Sequence, residues 1–312
     1  MSRGKVLIAA PVHPVLLEDL ESAGYTLERS ESITQARAYE LIADCVGLIT
    51  STRLNVDRSL LDAAPRLRWI GRMGSGMEVI DVAYALEKGI TCFSSPEGNC
   101  NAVAEHALGM LLSLTKKITS SHQEVKEGKW IRDANRGIEL EGKTIGIIGF
   151  GHTGQAFARK LSVFDMQILV YDKYKIIREP AYVTPCRTLD RIFEEADIIS
   201  FHVPLQEDTF HYFNEEFCRK MRKIFFLVNT SRGAVVDLFA LAMGLEQGKI
   251  AGACLDVLEG EPLHQMSQVH RGLVNEALKR PTVIITPHIA GYSHESLYKM
   301  SKALSGKIVR VR

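Results

Sequence analysis

The sequence predicts an α/β protein of two doubly wound parallel-sheet domains, and three observations carry that expectation. The chain has 312 residues, enough for two separate cores. Short apolar runs alternate along it with helical segments of about ten residues, the pattern of parallel βα units. Between an apolar run (Ile145, Ile147, Ile148) and an amphipathic stretch (Ala156, Phe157, Ala158, Leu161) lies a glycine-rich turn, Gly149-Phe150-Gly151-His152-Thr153-Gly154.

The elements follow in order. Residues 5–12 form the first apolar run, and residues 14–23 read as a helix closed by Gly24. Runs at 25–27, 46–49, 69–70 and 90–93 read as strands, with helical segments at 36–42, 56–63 and 79–87. Residues 101–126 read as one long helix carrying Ala104, Ala107, Leu108, Leu111, Leu112 and Leu114, ended by Gly128 and Trp130. Such a helix serves as a spine between domains or as a subunit interface. Strands then begin at Thr144 and recur at 168–171, 198–201, 224–228, 252–255 and 283–286, with helices at 189–195 and 238–247. Residues 259–279 look polar and irregular, and residues 293–312 read as a final helix with a basic end.

The glycine turn has a physical job at each position. Gly149 permits the tight turn, Gly151 lets backbone approach a pyrophosphate, and Gly154 lets helix pack on strand. His152 and Thr153 open a helix whose unpaired N–H groups attract phosphate. The second strand ends at Asp172, 21 residues after Gly151, where a carboxylate accepts from ribose hydroxyls and repels a 2′-phosphate. NAD is therefore expected over NADP, an inference that Lys173 softens.

Composition narrows the partners. A net charge of +1 gives no electrostatic footprint for nucleic acid or an anionic membrane. The N-terminal apolar run is too short for a signal peptide, and nothing later is long enough to span a bilayer. Six cysteines without CxxC pairing point to reduced thiols in a cytoplasm, and ten histidines without ligand spacing predict no metal.

Ligands of open parallel sheets bind beyond the carboxyl ends of strands. The polar residues there are Gly74-Ser75-Gly76, His202-Val203-Pro204, Thr230-Ser231-Arg232-Gly233, Asp256 and His288. Singly each reads as a turn, cap or loop residue; together they converge on one shared site.

With GRMGSG (71–76), GNCNAVAEH (98–106), GFGHTG (149–154), HVPL (202–205), NTSRGAVVD (229–237), LDVLEGEP (255–262) and TPHIAG (286–291) in this order, the chain resembles the D-isomer-specific 2-hydroxyacid dehydrogenases. That family includes phosphoglycerate dehydrogenases and glyoxylate or hydroxypyruvate reductases. The resemblance implies a Rossmann-type NAD-binding domain over 101–286 and a flavodoxin-like substrate domain over 1–100, completed by 287–312, with a cleft between them. It implies Arg232, Glu261 and His288 as the catalytic trio: a guanidinium fork for the 2-oxo acid, a proton-transferring imidazole, and an acid that orients it and raises its pKa. It places Ser75, His202, Val203, Pro204, Thr230, Ser231, Asp256 and Gly291 with the glycine turn and Asp172 at the cofactor. Gly74, Ser75, Gly76 and Asn99 are implied at the substrate, as an anion-binding nest. A homodimer through the 101–126 helix is expected.

The chain departs from the family where phosphoglycerate dehydrogenases commonly carry an arginine and this chain has Ser51-Thr52-Arg53, and at Glu78-Val79 in place of Asp-Asn. Arg53 is a candidate for a substrate phosphate, so the expectation leans towards a phosphoglycerate-like substrate, and the ending at Arg312 predicts no added regulatory domain. The alternative is an NAD-sensing binding protein of the corepressor type, against which the absence of long disordered flanks argues.

Overall fold

A computed structural model describes residues 3–178 and 180–310, so residues 311–312 of the expected final helix lie outside the described residues. The chain divides into two units, Met1–Asn101 with Gly291–Arg312, and Ala102–Ala290.

The first unit holds five parallel strands, β1 (Gly4–Ile8), β2 (Tyr25–Arg29), β3 (Cys45–Thr50), β4 (Trp69–Arg72) and β5 (Thr91–Phe93), ordered β2-β1-β3-β4-β5. This is the flavodoxin-like order. Period-two alternation feeds two cores: Leu7 joins Leu48 and Ile70 on one face, while Val6 and Ile8 join Ile49 and Trp69 on the other. Leu304 and Ile308 of the helix His294–Ile308 pack into the second core. A Cβ at Gly71 would lie 2.7 Å from Ile49 Cδ1 and 3.1 Å from Ile308 Cδ1, so a larger residue in β4 would have to displace these two side-chain tips.

The second unit holds seven parallel strands, β6 (Thr144–Ile148), β7 (Gln167–Tyr171), β8 (Thr184–Pro185), β9 (Ile198–Phe201), β10 (Phe225–Asn229), β11 (Ile250–Leu255) and β12 (Val283–Ile285). Their order is β12-β11-β10-β9-β6-β7-β8. The chain leaves β6 in one direction and returns to its other side as β9. That reversal is a topological switch point, the place where doubly wound sheets bind nucleotides.

Two expectations need correction. The helix over 101–126 is two helices, Pro96–Thr115 and Ile118–Lys126. Lys117 between them adopts a left-handed conformation (φ 55°) that no helix interior tolerates, and the Thr115 carbonyl accepts instead from Ile138 N–H. The segment 259–279 contains the helix Gln268–Leu278, capped by Ser267 and burying only Val274 and Ala277. A face that narrow gives little apolar period to read.

All six cysteines are free thiols. Among the described residues no helix is long and apolar enough to cross a membrane.

Candidate active site

The dinucleotide turn is set by backbone packing. Gly149 has φ 90°, and a Cβ there would stand 2.4 Å from the His202 carbonyl oxygen at the end of β9. A Cβ at Gly154 would stand 2.2 Å from the Gly149 carbonyl oxygen. At Gly151, by contrast, a Cβ would meet no protein atom within 4 Å. The chain's own packing does not demand that glycine, and the open space leaves room for the close approach of a ligand. Gly151 caps the helix His152–Leu161 with no side-chain hydrogen bond, so its first N–H groups point at the turn. At the end of β7, Asp172 accepts from Phe150 N–H at 2.8 Å through Oδ2 and from Tyr174 N–H at 3.0 Å through Oδ1. Its carboxylate is thereby fixed beside the turn.

Two further cofactor candidates carry buried polar atoms with no partner in the protein, His202 Nδ1 and Thr230 Oγ1. The other His202 nitrogen bonds Ser200 Oγ at 2.8 Å, and burial pushes the imidazole down to about 3, so it stays neutral at physiological pH. Orphaned buried polar atoms are costly, and a bound nicotinamide dinucleotide offers the partners that the chain lacks.

Arg232, Glu261 and His288 follow β10, β11 and β12 in turn. Nδ1 of His288 bonds Oε1 of Glu261. Burial works to raise the Glu261 carboxyl, but bonds from His288 and Leu258 N–H, with the Arg232 charge, outweigh it and hold the group below its ordinary value. The loop of Arg232 presses on the loop of Glu261: a Cβ at Gly233 would lie 2.0 Å from the Leu258 carbonyl carbon.

Three residues stabilise this arrangement, and sequence reasoning gave none of them that role. Asn229, fully buried, donates to the Arg232 carbonyl at 2.9 Å and accepts from Ser231 N–H and Oγ, locking the arginine loop. His288 sits at φ 56°, a left-handed conformation worth about 1–2 kcal/mol of strain for a non-glycine residue. Asp256, 1% exposed, holds it there. Its carboxylate accepts from Ile289 N–H (2.9 Å), Ala290 N–H (2.8 Å) and Thr286 Oγ1, and its carbonyl accepts from His288 N–H (2.8 Å). Asp256 thus anchors the histidine loop, a task separate from the cofactor contact expected of it. Thr286 in turn bonds His106 Nε2 at 3.0 Å. A polar residue at a strand end was the available signal for Asp256 and Asn229; nothing in the sequence marked their hydrogen-bond partners.

In the first unit, Gly74 has φ 138°, and its N–H is consumed by Ser95 Oγ at 3.0 Å. The expected nest therefore keeps two donors, the N–H groups of Ser75 and Gly76. Beneath it lies Arg72, 9% exposed, whose Nη1 would be 1.5 Å from a Cβ at Gly74. Nη1 of Arg72 donates to the Met73 carbonyl at 2.7 Å, and sequence reasoning gave this buried residue no role. Ser75 Oγ donates to Asn99 Oδ1 at 3.0 Å, and a Cβ at Gly291 would lie 3.0 Å from Asn99 Nδ2, so these three candidates cluster. Arg53 is exposed and donates to the Glu31 carbonyl at 3.4 Å. One group of metal-ligand types, His211, Asp237 and Glu259, has its ligand atoms within 4.8 Å of one another. Its members already serve the fold: His211 bonds Glu259 at 2.9 Å, and Asp237 caps the helix Leu238–Glu246.

The family model for the NAD-binding domain of D-isomer-specific 2-hydroxyacid dehydrogenases matches residues 108–290. The chain belongs to that family. It is 37% identical over 265 residues to the glyoxylate reductase of Thermofilum pendens, covering 82% of this chain and 75% of that one. It is 36% identical over 295 residues to the hydroxypyruvate reductase of Thermotoga maritima, covering 94% and 91%. The crystal structure of D-lactate dehydrogenase from Aquifex aeolicus, complexed with NAD and lactic acid, superposes with a TM-score of 0.82 at 27% identity, covering 97% of this chain and 94% of that one. As a D-2-hydroxyacid dehydrogenase, the protein is an NAD-dependent oxidoreductase. These relatives do not favour the corepressor alternative.

Proposed function

We propose that this dehydrogenase reduces a small unphosphorylated 2-oxo acid, of the hydroxypyruvate or glyoxylate kind, to the D-2-hydroxy acid. The observation that carries the chemistry is the His288–Glu261 pair with the Arg232 loop packed against it. NADH, when bound, supplies the hydride to C2. The glycine turn with His152 and Thr153 holds the pyrophosphate, Asp172 the ribose, and His202, Val203, Pro204, Thr230, Ser231 and Asp256 the nicotinamide end, with Ser75 and Gly291 the remaining cofactor assignments. Arg232 forks onto the carboxylate and carbonyl of the acid. His288 donates a proton to the oxygen that becomes alkoxide, and takes it back in oxidation. Glu261 fixes the ring and balances its positive charge. Gly74, Ser75, Gly76 and Asn99, backed by Arg72, are assigned to the substrate carboxylate, which makes the first unit the substrate domain and the second the cofactor domain.

Two features of the relatives and the structure favour an unphosphorylated acid: the glyoxylate and hydroxypyruvate reductases just described, and the contact of Arg53 with Glu31 rather than with the 74–76 turn. A 3-phosphoglycerate substrate is the second reading, supported by Arg53 as an exposed cation. NADH oxidation with phosphohydroxypyruvate, hydroxypyruvate, glyoxylate and pyruvate separates them. A clear preference for hydroxypyruvate or glyoxylate is expected; a preference for the phosphorylated acid would reverse the proposal.

A homodimer is also proposed. Ile118, Val125, Trp130, Ile131 and Ile138 are all more than 40% exposed along the helix Ile118–Lys126 and the segment after it, and exposed apolar side chains close together in sequence are candidates for a subunit contact. Light scattering should give twice the 34.8 kDa chain mass. Six free thiols agree with a cytoplasmic location.

A further inference from the structure

Asp172 alone does not account for the charge at the ribose end of the site. Lys173, next in the chain, is the kind of residue that would pair with a 2′-phosphate and so admit NADPH. Its ammonium is instead 2.6 Å from Oδ2 of Asp208, which also accepts from the Tyr174 hydroxyl at 2.7 Å. The same ammonium stands over the Tyr174 ring, 5.5 Å from its centroid. These two donors hold the Asp208 carboxyl below its ordinary range.

The placement is not that of an arbitrary surface pair. Asp208 lies in the short helical turn Glu207–Thr209 that follows the β9 loop, and Lys173 follows β7. Those two strands flank β6, so the ion pair links the loops on either side of the dinucleotide turn. The Asp208 turn is itself rigid: Thr209 Oγ1 accepts from Gln206 N–H and donates to the Pro204 carbonyl, each at 2.7 Å.

From this geometry we infer that Asp208 is a cofactor-selectivity residue, acting through Lys173 to keep a 2′-phosphorylated dinucleotide out. It does so in two ways. The pair ties up Lys173, the cation next to Asp172 in the chain, and Asp172, Lys173 and Asp208 together leave one net negative charge where the phosphate would sit. The inference rests on the assignment of Asp172 to the adenosine ribose and deepens it.

The test is equilibrium binding of NADH and NADPH, read by nicotinamide fluorescence, which requires no substrate and no turnover. Asp208→Asn should tighten NADPH relative to NADH by about two- to fivefold, the span of one exposed charge interaction, and the gain should fade at high salt. Asp208→Glu should keep the wild-type ratio. Adding Lys173→Ala to Asp208→Asn should cancel the gain, which separates Lys173 from Lys175 and Arg178 on the same turn. An unmoved ratio in Asp208→Asn, or a gain that survives loss of Lys173, overturns the inference while leaving NAD binding intact. Failure of the wild-type protein to bind NADH would overturn the cofactor assignment itself, and this inference with it.

Discussion

The two units carry glycine turns at the ends of parallel strands, and they need glycine for different reasons. In the second unit, Gly149 and Gly154 are demanded by backbone oxygens 2.4 and 2.2 Å from where a Cβ would stand. In the first, Gly74 is demanded by its own backbone at φ 138°, and the atom nearest a Cβ there is the movable tip of the Arg72 side chain. The dinucleotide turn is thus an uncharged cradle of N–H groups, rigid because main chain packs on main chain. The 74–76 turn is a pair of N–H donors over a buried cation. On the assignments proposed above, the first would hold the diphosphate of the cofactor and the second the carboxylate of the acid.

Four expected results would sharpen or break this contrast. The largest concerns where the chemistry resides. His288→Gln should lower kcat by about 10²- to 10⁴-fold, the usual span for losing a general acid, with the NADH dissociation constant unchanged. A first-unit substitution such as Ser75→Ala with an equal loss in kcat would refute the division of labour. Next, Gly154→Ala should cost about 1–3 kcal/mol in chemical denaturation, because the obstructing atom is backbone and cannot step aside, and NADH binding should weaken. Gly74→Ala should act differently: the Arg72 tip can move, leaving mainly the strain of a positive φ. Its signature is a raised KM for the 2-oxo acid with NADH affinity unmoved. If both glycine variants weaken NADH equally, the two turns are not distinct in role.

The smallest effect is on pH dependence. The Glu261 carboxyl is held below its ordinary value in the folded protein. Its contribution to stability is therefore complete above the unfolded carboxyl pKa, near 4.3, and lost as pH falls through the lower folded value. Thermal midpoints of wild type and Glu261→Gln should keep a constant gap from pH 7 to about 5 and converge only below that. Convergence already near pH 6 would mean that Glu261 is not the depressed group.

Much of this was legible in the sequence because it rests on local rules. The apolar runs located most of the strands, and the spacing of Gly149, Gly151, Gly154 and Asp172 located a strand–turn–helix–strand unit at the switch point of the second sheet. Arg232 and His288 were singled out by strand-end position and Glu261 by motif resemblance alone, and the structure bonds His288 to Glu261. What escaped depends on contacts distant in sequence or on single backbone angles. Lys117 in a left-handed conformation splits a helix whose apolar pattern runs on through it. Ser267 caps a helix with too little buried surface to show a period. Asp256 as anchor of the histidine loop, Asn229 as lock of the arginine loop and Asp208 as partner of Lys173 are visible only once the strands are placed side by side.

The central claim is hydride transfer between nicotinamide and C2 of a D-2-hydroxy acid, and it can be followed atom by atom. Incubation of the protein with NADH dideuterated at nicotinamide C4 and either hydroxypyruvate or glyoxylate should yield the 2-hydroxy acid carrying one deuterium at C2, with glycerate formed as the D isomer. Product without deuterium at C2, or L-glycerate in place of D, would contradict the account.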